Sequence, residues 1–324
     1  MAKRKENKVK HIFVKKPKIG SKYYFDFAGG WEYGELIAES EKLTDHYGHN
    51  WYLLQNKSQS NRYIKYPVSI IILEIIKRKL KNKKMYTSTE LKGMLFIDIE
   101  TASQYETLKD LKKDKESLYD LWIAKANQIK SFESDKADLT DQDMFKRTSS
   151  LHPEFGKIIT ISIGQIKFDE IGMPVKTNIK SFYGDDEISL LNEFNQTMQA
   201  VFNQNSSVKL IGHNIKRFDM PWIIKRCLIN GITPIHQFHL QKQKPWENCL
   251  LDTLEIWKFG GYSGASLDLI CNIFNIPSPK DAMKNTDVSE HYWGGRLEDI
   301  KNYCEGDVLA TMNVMLKMSN MPIL

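Results

Sequence analysis

The run Met94–Ile99 (MLFIDI) is apolar at every position but Asp98, and Glu100 follows two residues after that aspartate. An apolar run of this length bounded by polar residues reads as a core strand. Residues i and i+2 of a strand share a face, so both carboxylates point the same way. Two unpaired carboxylates side by side repel each other, and burying them is unfavourable unless a cation joins them. An ordinary exposed strand end would carry the same pair at no cost. Taken alone, the segment does not separate these two readings.

The residues that follow supply the rest of a sheet. Ile158–Ile166 (IITISIGQI) reads as a second core strand, with Gln165–Phe168 leading to a turn at Glu170–Pro174, and Ile179–Tyr183 as a third. Glu187–Phe202 has helical spacing, with Leu190, Leu191, Phe194, Met198 and Val201 on one face. Val208–His213 is a further strand, and Phe218–Asn230 a helix whose end is marked by Asn230-Gly231. Strands followed by alternating strands and helices indicate an α/β domain with a mixed sheet. Between Thr101 and Leu151, the positions Leu108, Leu111, Leu118, Leu121, Trp122, Ala126 and Ile129 suggest one or two amphipathic helices, and the acidic run Glu133–Asp143 a surface loop. Ser266 before Leu267-Asp268-Leu269 reads as a helix cap, and Asp252 as either a cap or a group steering a bound strand.

Charge divides the chain near Lys81–Thr89. Residues 1–90 hold 19 Lys and Arg against 9 Asp and Glu, whereas residues 91–324 hold 27 against 31. A basic module beside a mildly acidic one suggests a polyanion partner for the first and cation binding for the second; a Lys-rich tail that only aids solubility is the simpler alternative. Residues 1–18 form a basic arm with little to bury, expected to be mobile. Residues 19–90 alternate short aromatic-rich runs (Lys22–Phe27, Trp31–Ala38, Trp51–Gln55, Arg62–Val68) with glycine and polar breaks. That texture indicates a small β-rich domain, resembling SH3-like barrels, with a closing turn or short helix at Ile70–Leu80 that exposes Lys77, Arg78 and Lys79. Its aromatics serve either its own core or base stacking. The longest apolar run, Val68–Ile76, is interrupted by Glu74 and far too short for a bilayer. Four cysteines without a CxxC pair argue against a zinc knuckle or a disulfide framework. Membrane, secreted and fibrous classes are therefore excluded, and a cytoplasmic or nucleoid-associated location is expected.

Three segments carry the chemistry together: Phe96-Ile97-Asp98-Ile99-Glu100, His213-Asn214-Ile215-Lys216-Arg217-Phe218-Asp219, and Tyr303-Cys304-Glu305-Gly306-Asp307 within the helical stretch Leu297–Met318. Tyr303 and Asp307 are four apart and share a helix face. In order and spacing these segments resemble the three motifs of the DnaQ-like (RNase H-like) 3′→5′ exonucleases of the DEDDy kind, which use four acidic residues and a tyrosine. Residues 94–318 are similar to the stand-alone exonucleases related to the proofreading domain of family-B DNA polymerases. Leu151-His152-Pro153-Glu154-Phe155-Gly156-Lys157-Ile158 and Phe259-Gly260-Gly261-Tyr262-Ser263 look like the same group. Lys216 and Arg217 stand where that family often has small or polar residues. The histidine branch places a base five residues before the last aspartate; that position is Asn302 here, with Tyr303 next, so the tyrosine branch matches better.

The resemblance implies an RNase H-like mixed sheet flanked by helices over residues 91–324. It implies that Asp98, Glu100, Asp219 and Asp307 hold two divalent cations, that Tyr303 orients a water, and that Ile99, Asn214 and Phe218 contact substrate. Oxygen donors suit Mg²⁺ or Mn²⁺, and nothing in this set offers zinc its sulfur and nitrogen. Two such ions clamp the attacking and leaving oxygens of an in-line displacement at phosphorus. A phenol is a poor general base at neutral pH, so Tyr303 is assigned positioning. Asn214 could equally tie down its own turn, His213 is more simply structural than a ligand, and core packing is the default for Trp257, Phe259 and Trp293. The implied activity is removal of mononucleotides from the 3′ end of DNA, preferably single-stranded, in replication or repair and with a protein partner from either. No polymerase domain is expected in the 17 residues after Asp307. The alternatives are a 3′→5′ exonuclease of RNA and a catalytically silent nucleic-acid-binding scaffold.

Overall fold

The computed structural model describes four strands within residues 22–67 by their backbone, and residues 85–238, 248–277 and 287–324 in full. The chain divides into two compact units, Met1–Lys84 and Met85–Leu324.

In the first unit, strands β1 (Lys22–Phe27), β2 (Gly30–Thr44), β3 (Asn50–Gln55) and β4 (Ile64–Pro67) pair antiparallel in the order β1-β2-β3-β4. Each of the four aromatic-rich runs contains or lies within one of these strands. The register of β2 on β3 shifts after Leu36 and again after Glu39. Bulges of this kind bend a strand and increase its twist. The basic arm, the segment Ile70–Leu80 and the links on which SH3-like closure rests lie outside the described residues.

The second unit is built on a five-stranded mixed sheet: β5 (Met94–Ser103), β6 (Gly156–Phe168), β7 (Pro174–Tyr183), β8 (Lys209–Gly212) and β9 (Leu250–Asp252), in the order β7-β6-β5-β8-β9. β6 runs antiparallel to both β5 and β7, while β8 lies parallel to β5 and β9 parallel to β8. Its helices, in chain order, are α1 (Ser88–Lys92), α2 (Leu108–Asp114), α3 (Glu116–Phe132), α4 (Asp141–Thr148), α5 (Glu187–Gln204), α6 (Asp219–Ile229), α7 (Thr253–Lys258), α8 (Leu267–Phe274), α9 (Val288–Trp293) and α10 (Leu297–Met318). This is the RNase H-like arrangement, with helices on both faces of the sheet.

Each face has its own core. On one, Ile97, Ile99, Ile161 and Ile163 pack against Leu190, Leu191, Phe194 and Met198 of α5 and Met220, Trp222 and Ile223 of α6. On the other, Met94, Phe96, Ile166 and Ile211 pack against Val308, Met312, Met315 and Leu316 of α10. Gly164 on β6 lets α10 come this close. A Cβ there would lie 2.4 Å from Met312 Cε, 2.9 Å from Val308 Cγ1 and 3.1 Å from Ile179 Cγ1.

The segment between β5 and β6 is more ordered than its polar composition suggests. α2, α3 and α4 enclose a small core in which Trp122 meets Phe145 edge-on at 5.2 Å and Phe155 at 5.0 Å. Two expectations are corrected here. Leu121 is 62% exposed, one position off the buried stripe of α3 that Trp122 and Ala126 occupy. The run Glu133–Asp143 is not wholly loop: it holds a 3-10 turn at Ser134–Lys136, and α4 begins at Asp141. The Thr140 hydroxyl caps that helix by accepting from Asp143 N–H, and burial of Met144 and Phe145 anchors it. Ser266 caps α8 as expected, accepting from Leu269 N–H.

Candidate active site

Along β5, Phe96, Asp98, Glu100 and Ala102 alternate with Ile97 and Ile99, which the opposite core takes up. Asp98 and Glu100 therefore face α10. That helix crosses the sheet so that Tyr303 packs with Ala102 and Ile159, and Val308 with Phe96. Asp307 is carried between these contacts into the same pocket. One ligand oxygen each from Asp98, Glu100 and Asp307 lie within 4.8 Å of one another. Glu100 and Asp307 are buried, and Asp98 is the member with partial exposure.

Carboxylates this close cannot all ionise cheaply. Burial, then the neighbouring Asp307 and Asp219, push the Glu100 carboxyl well above its ordinary range; burial, then Asp307, Asp219 and Glu100, do the same to Asp98. Asp219 opens α6 beside this trio without joining it. Burial raises its pKa to about 7, against the opposing pull of hydrogen bonds from its own N–H and from Ile99 N–H. Tyr303 is hydrogen-bonded to Asp307, and burial followed by the charges of Asp307, Glu100 and Asp98 drives its phenol far above the usual value.

The pocket fits a hard cation. Its donors are carboxylate oxygens, and the strain of three adjacent charges is what a divalent ion relieves. Thr160, directly opposite Glu100 in the register, has a buried hydroxyl with no hydrogen-bond partner among the described residues. An orphaned buried hydroxyl on this face leaves a donor and an acceptor free for a bound group or water. One sulfur stands beside this donor set without joining it. The Cys304 thiol lies 3.5 Å from Asp98 Oδ2. Burial and the charges of Asp98 and Glu100 push that thiol well up, so it stays protonated and donates to Asp98 instead of ligating.

The turn that delivers Asp219 is fastened from β9. Asp252, 2% exposed, accepts hydrogen bonds from Asn214 N–H (2.9 Å), Lys216 N–H (3.2 Å) and Leu254 N–H (2.9 Å). It thus caps α7 and ties down the turn at once. Asn214 adopts the left-handed conformation (φ 66°), which asparagine tolerates, and its carbonyl accepts from Arg217 and Phe218. His213 Nδ1 is 3.0 Å from Thr253 Oγ1, and Lys216 pairs with Glu255 at 2.6 Å. Of the candidate substrate contacts, Ile99 puts its side chain into the core, and Phe218 packs partly into it with its ring 5.9 Å from Trp222. Trp257 packs edge-on against Phe274, and Trp293 is 37% exposed with its N–H given to Ser103 Oγ. Phe259, in contrast, is 72% exposed at a left-handed position.

Thr160 and Ser162, opposite Glu100 and Asp98 on the neighbouring strand, were not among the residues expected at the site. The signal was present in Thr160-Ile161-Ser162-Ile163-Gly164, where small or polar residues recur at every second position and mark a strand face that is not purely apolar.

A mixed sheet with buried carboxylates gathered over its central strand defines a candidate cation site. A family model described as a predicted 3′-5′ exonuclease related to the exonuclease domain of PolB matches residues 148–322, just over half of the chain, and the chain belongs to this family. The matched residues include Asp219, Tyr303 and Asp307; Asp98 and Glu100 precede them, and the fold brings these two together with Asp307. Among solved structures, the chain is similar to a family B DNA polymerase from the hyperthermophilic archaeon Pyrobaculum calidifontis, at 12% identity and a TM-score of 0.41. That match covers 69% of this chain and 24% of the polymerase, so the chain spans about a quarter of the polymerase's length. No curated protein matches. Among the described residues no helix is long and apolar enough to cross a membrane.

Proposed function

We propose that this exonuclease is metal-dependent and acts at the 3′ end of DNA, preferring single strands and releasing nucleoside monophosphates. The observation that carries the reading is the convergence of Asp98, Glu100 and Asp307 in one buried pocket. Asp98, Glu100 and Asp307, with Asp219 beside them, would hold two divalent cations, Mg²⁺ or Mn²⁺. When bound, such ions supply a nucleophile at neutral pH and stabilise the attacking and leaving oxygens at phosphorus.

The chain's own residues do the positioning. Tyr303 keeps its proton throughout the neutral range and gives it to Asp307, so its phenol oxygen would orient the attacking water by accepting a hydrogen bond, not by acting as a base. Asp252 holds the turn through Asn214 and Lys216, so Asp219 enters the pocket from a fixed helix start. Ile99 N–H orients the Asp219 carboxylate from the strand that carries Asp98 and Glu100. Asn214 and Phe218 shape the floor over which a 3′-terminal nucleotide would lie. We assign residues 91–324 to this chemistry. The basic residues 1–90 we assign to holding nucleic acid, or a replication or repair protein, near the site.

The test uses 5′-labelled oligonucleotides of one sequence, as DNA and as RNA, with Mg²⁺ or Mn²⁺. A ladder shortening from the 3′ end on single-stranded DNA, with RNA degraded slowly or not at all, is expected. RNA degraded in preference would reverse the sugar assignment, which rests on 2′-OH contacts. Binding of both polymers without degradation of either would make the chain a scaffold.

A further inference from the structure

Asp98, Ser162 and Ser181 stand directly opposite one another across three strands, Asp98 pairing with Ser162 and Ser162 with Ser181. All three point at α10. The adjacent row on the same face is apolar, Phe96 facing Gly164 and Gly164 facing Ile179. The serines are joined at 2.8 Å between their hydroxyl oxygens. At one end, Ser181 donates to Glu305 Oε1 at 2.7 Å. At the other, the Cys304 thiol stands beside Ser162 and lies 3.4 Å from the Asp98 carbonyl oxygen and 3.5 Å from Asp98 Oδ2. Both ends are closed by consecutive residues of one helix.

Each hydroxyl or thiol has a single proton, and this sets the direction of the chain. Ser181 gives its proton to Glu305 and Cys304 gives its own to Asp98, which leaves the one Ser162 proton for either the Ser181 oxygen or the Cys304 sulfur. Stability alone does not explain such a row. Two alanines would fill the space under α10 with no polar group to desolvate, and an apolar isostere of a satisfied polar pair is nearly neutral. The row does fix one oxygen of Asp98, which fixes the plane of the carboxylate and aims the other oxygen.

We propose that Cys304, Ser162, Ser181 and Glu305 form a positioning ladder that orients Asp98 for cation binding, with Cys304 as its last rung. The inference rests on the reading of Asp98 as a cation ligand. Partners of this kind, one bond removed from the ion, commonly change cation affinity about 10–100-fold when removed.

The test is Mn²⁺ binding, read as the concentration giving half of the thermal stabilisation of the full chain, alongside the Mn²⁺ concentration for half-maximal cleavage. Cys304→Ala and Ser162→Ala are expected to raise both by about 10–100-fold with the KM for oligonucleotide unchanged, and Cys304→Ser, which restores a donor, to return within a few-fold of wild type. Ser181→Ala, at the half-buried end, is the variant least able to disturb folding, and a smaller shift in the same direction is expected. Wild-type Mn²⁺ affinity in all three alanine variants would overturn the ladder and leave the exonuclease reading standing. Absence of Mn²⁺ stabilisation in the wild type would overturn both.

Discussion

Asp98 on the central strand and Asp307 on the last helix bring ligand oxygens within 4.8 Å of each other in a pocket that also holds Glu100. Burial and the charge of Asp307 together raise the cost of ionising Asp98. A fold that assembles three mutually repelling carboxylates is poised for a counter-charge, and its energetics in the absence of one should show it.

The stability of the cation-free protein is therefore expected to fall as pH rises. Asp219 has a folded pKa of about 7, above the ordinary aspartate value of about 4. A raised folded value favours the protonated form in the native state. Its contribution is complete below about pH 4 and is lost as pH climbs through about 7, and Asp98 and Glu100, also pushed up, act in the same sense. In EDTA, the free energy of urea unfolding should decline by a few kcal/mol between about pH 5 and pH 8. Saturating Mn²⁺, which binds the ionised set, should flatten that decline. A flat profile in EDTA would contradict the electrostatic account.

Gly164→Val tests whether the site depends on the approach of α10 to the sheet. The first added carbon already meets Met312, Val308 and Ile179 at 3.1 Å or less. Overpacking of this sort costs about 1–3 kcal/mol. Because the same helix carries Cys304 and Asp307, weaker Mn²⁺ binding should accompany the loss. Thermal melts with and without Mn²⁺ measure both effects on one sample, and destabilisation with unchanged Mn²⁺ binding would separate helix from site.

Asp252→Ala removes three acceptor contacts at once, from Asn214, Lys216 and Leu254. Hydrogen bonds to a charged group are worth about 1.5–3 kcal/mol each, though not additively, so a loss of about 3 kcal/mol is expected. Asp252→Asn keeps an acceptor and should lose less. Cleavage should fall along with stability, since the turn that delivers Asp219 is released. Full cleavage by a destabilised Asp252→Ala would show that the turn does not need this anchor.

Much of the architecture is legible along the chain because it is written in local periodicity. The helix Leu297–Met318 has the bounds its pattern implies, and Ser266 is the cap its spacing suggests. The acidic residues were legible by their order, since each stands at the end of a recognisable strand or on one face of a helix. What was not legible depends on register. Nothing near Ser162 says that Asp98 lies opposite it, because that pairing joins strands separated by the helical insertion around Trp122. β9 is only three residues long, too short for a periodic signal, so the strand that Asp252 ends was missed although its capping role was foreseen. The run Glu133–Asp143 read as loop because its charges masked the Thr140 cap.

The most direct test of the central claim uses a 5′-labelled single-stranded DNA oligonucleotide with wild type, Asp98→Ala and Asp307→Ala, in Mn²⁺ and in EDTA. The loss of several kcal/mol of cation-dependent stabilisation corresponds to a rate drop of about 10³-fold or more. The expected result is a 3′-end ladder with wild type in Mn²⁺ alone, and none with either variant. Cleavage that persists in EDTA or in Asp98→Ala would mean that the chemistry does not run through this pocket.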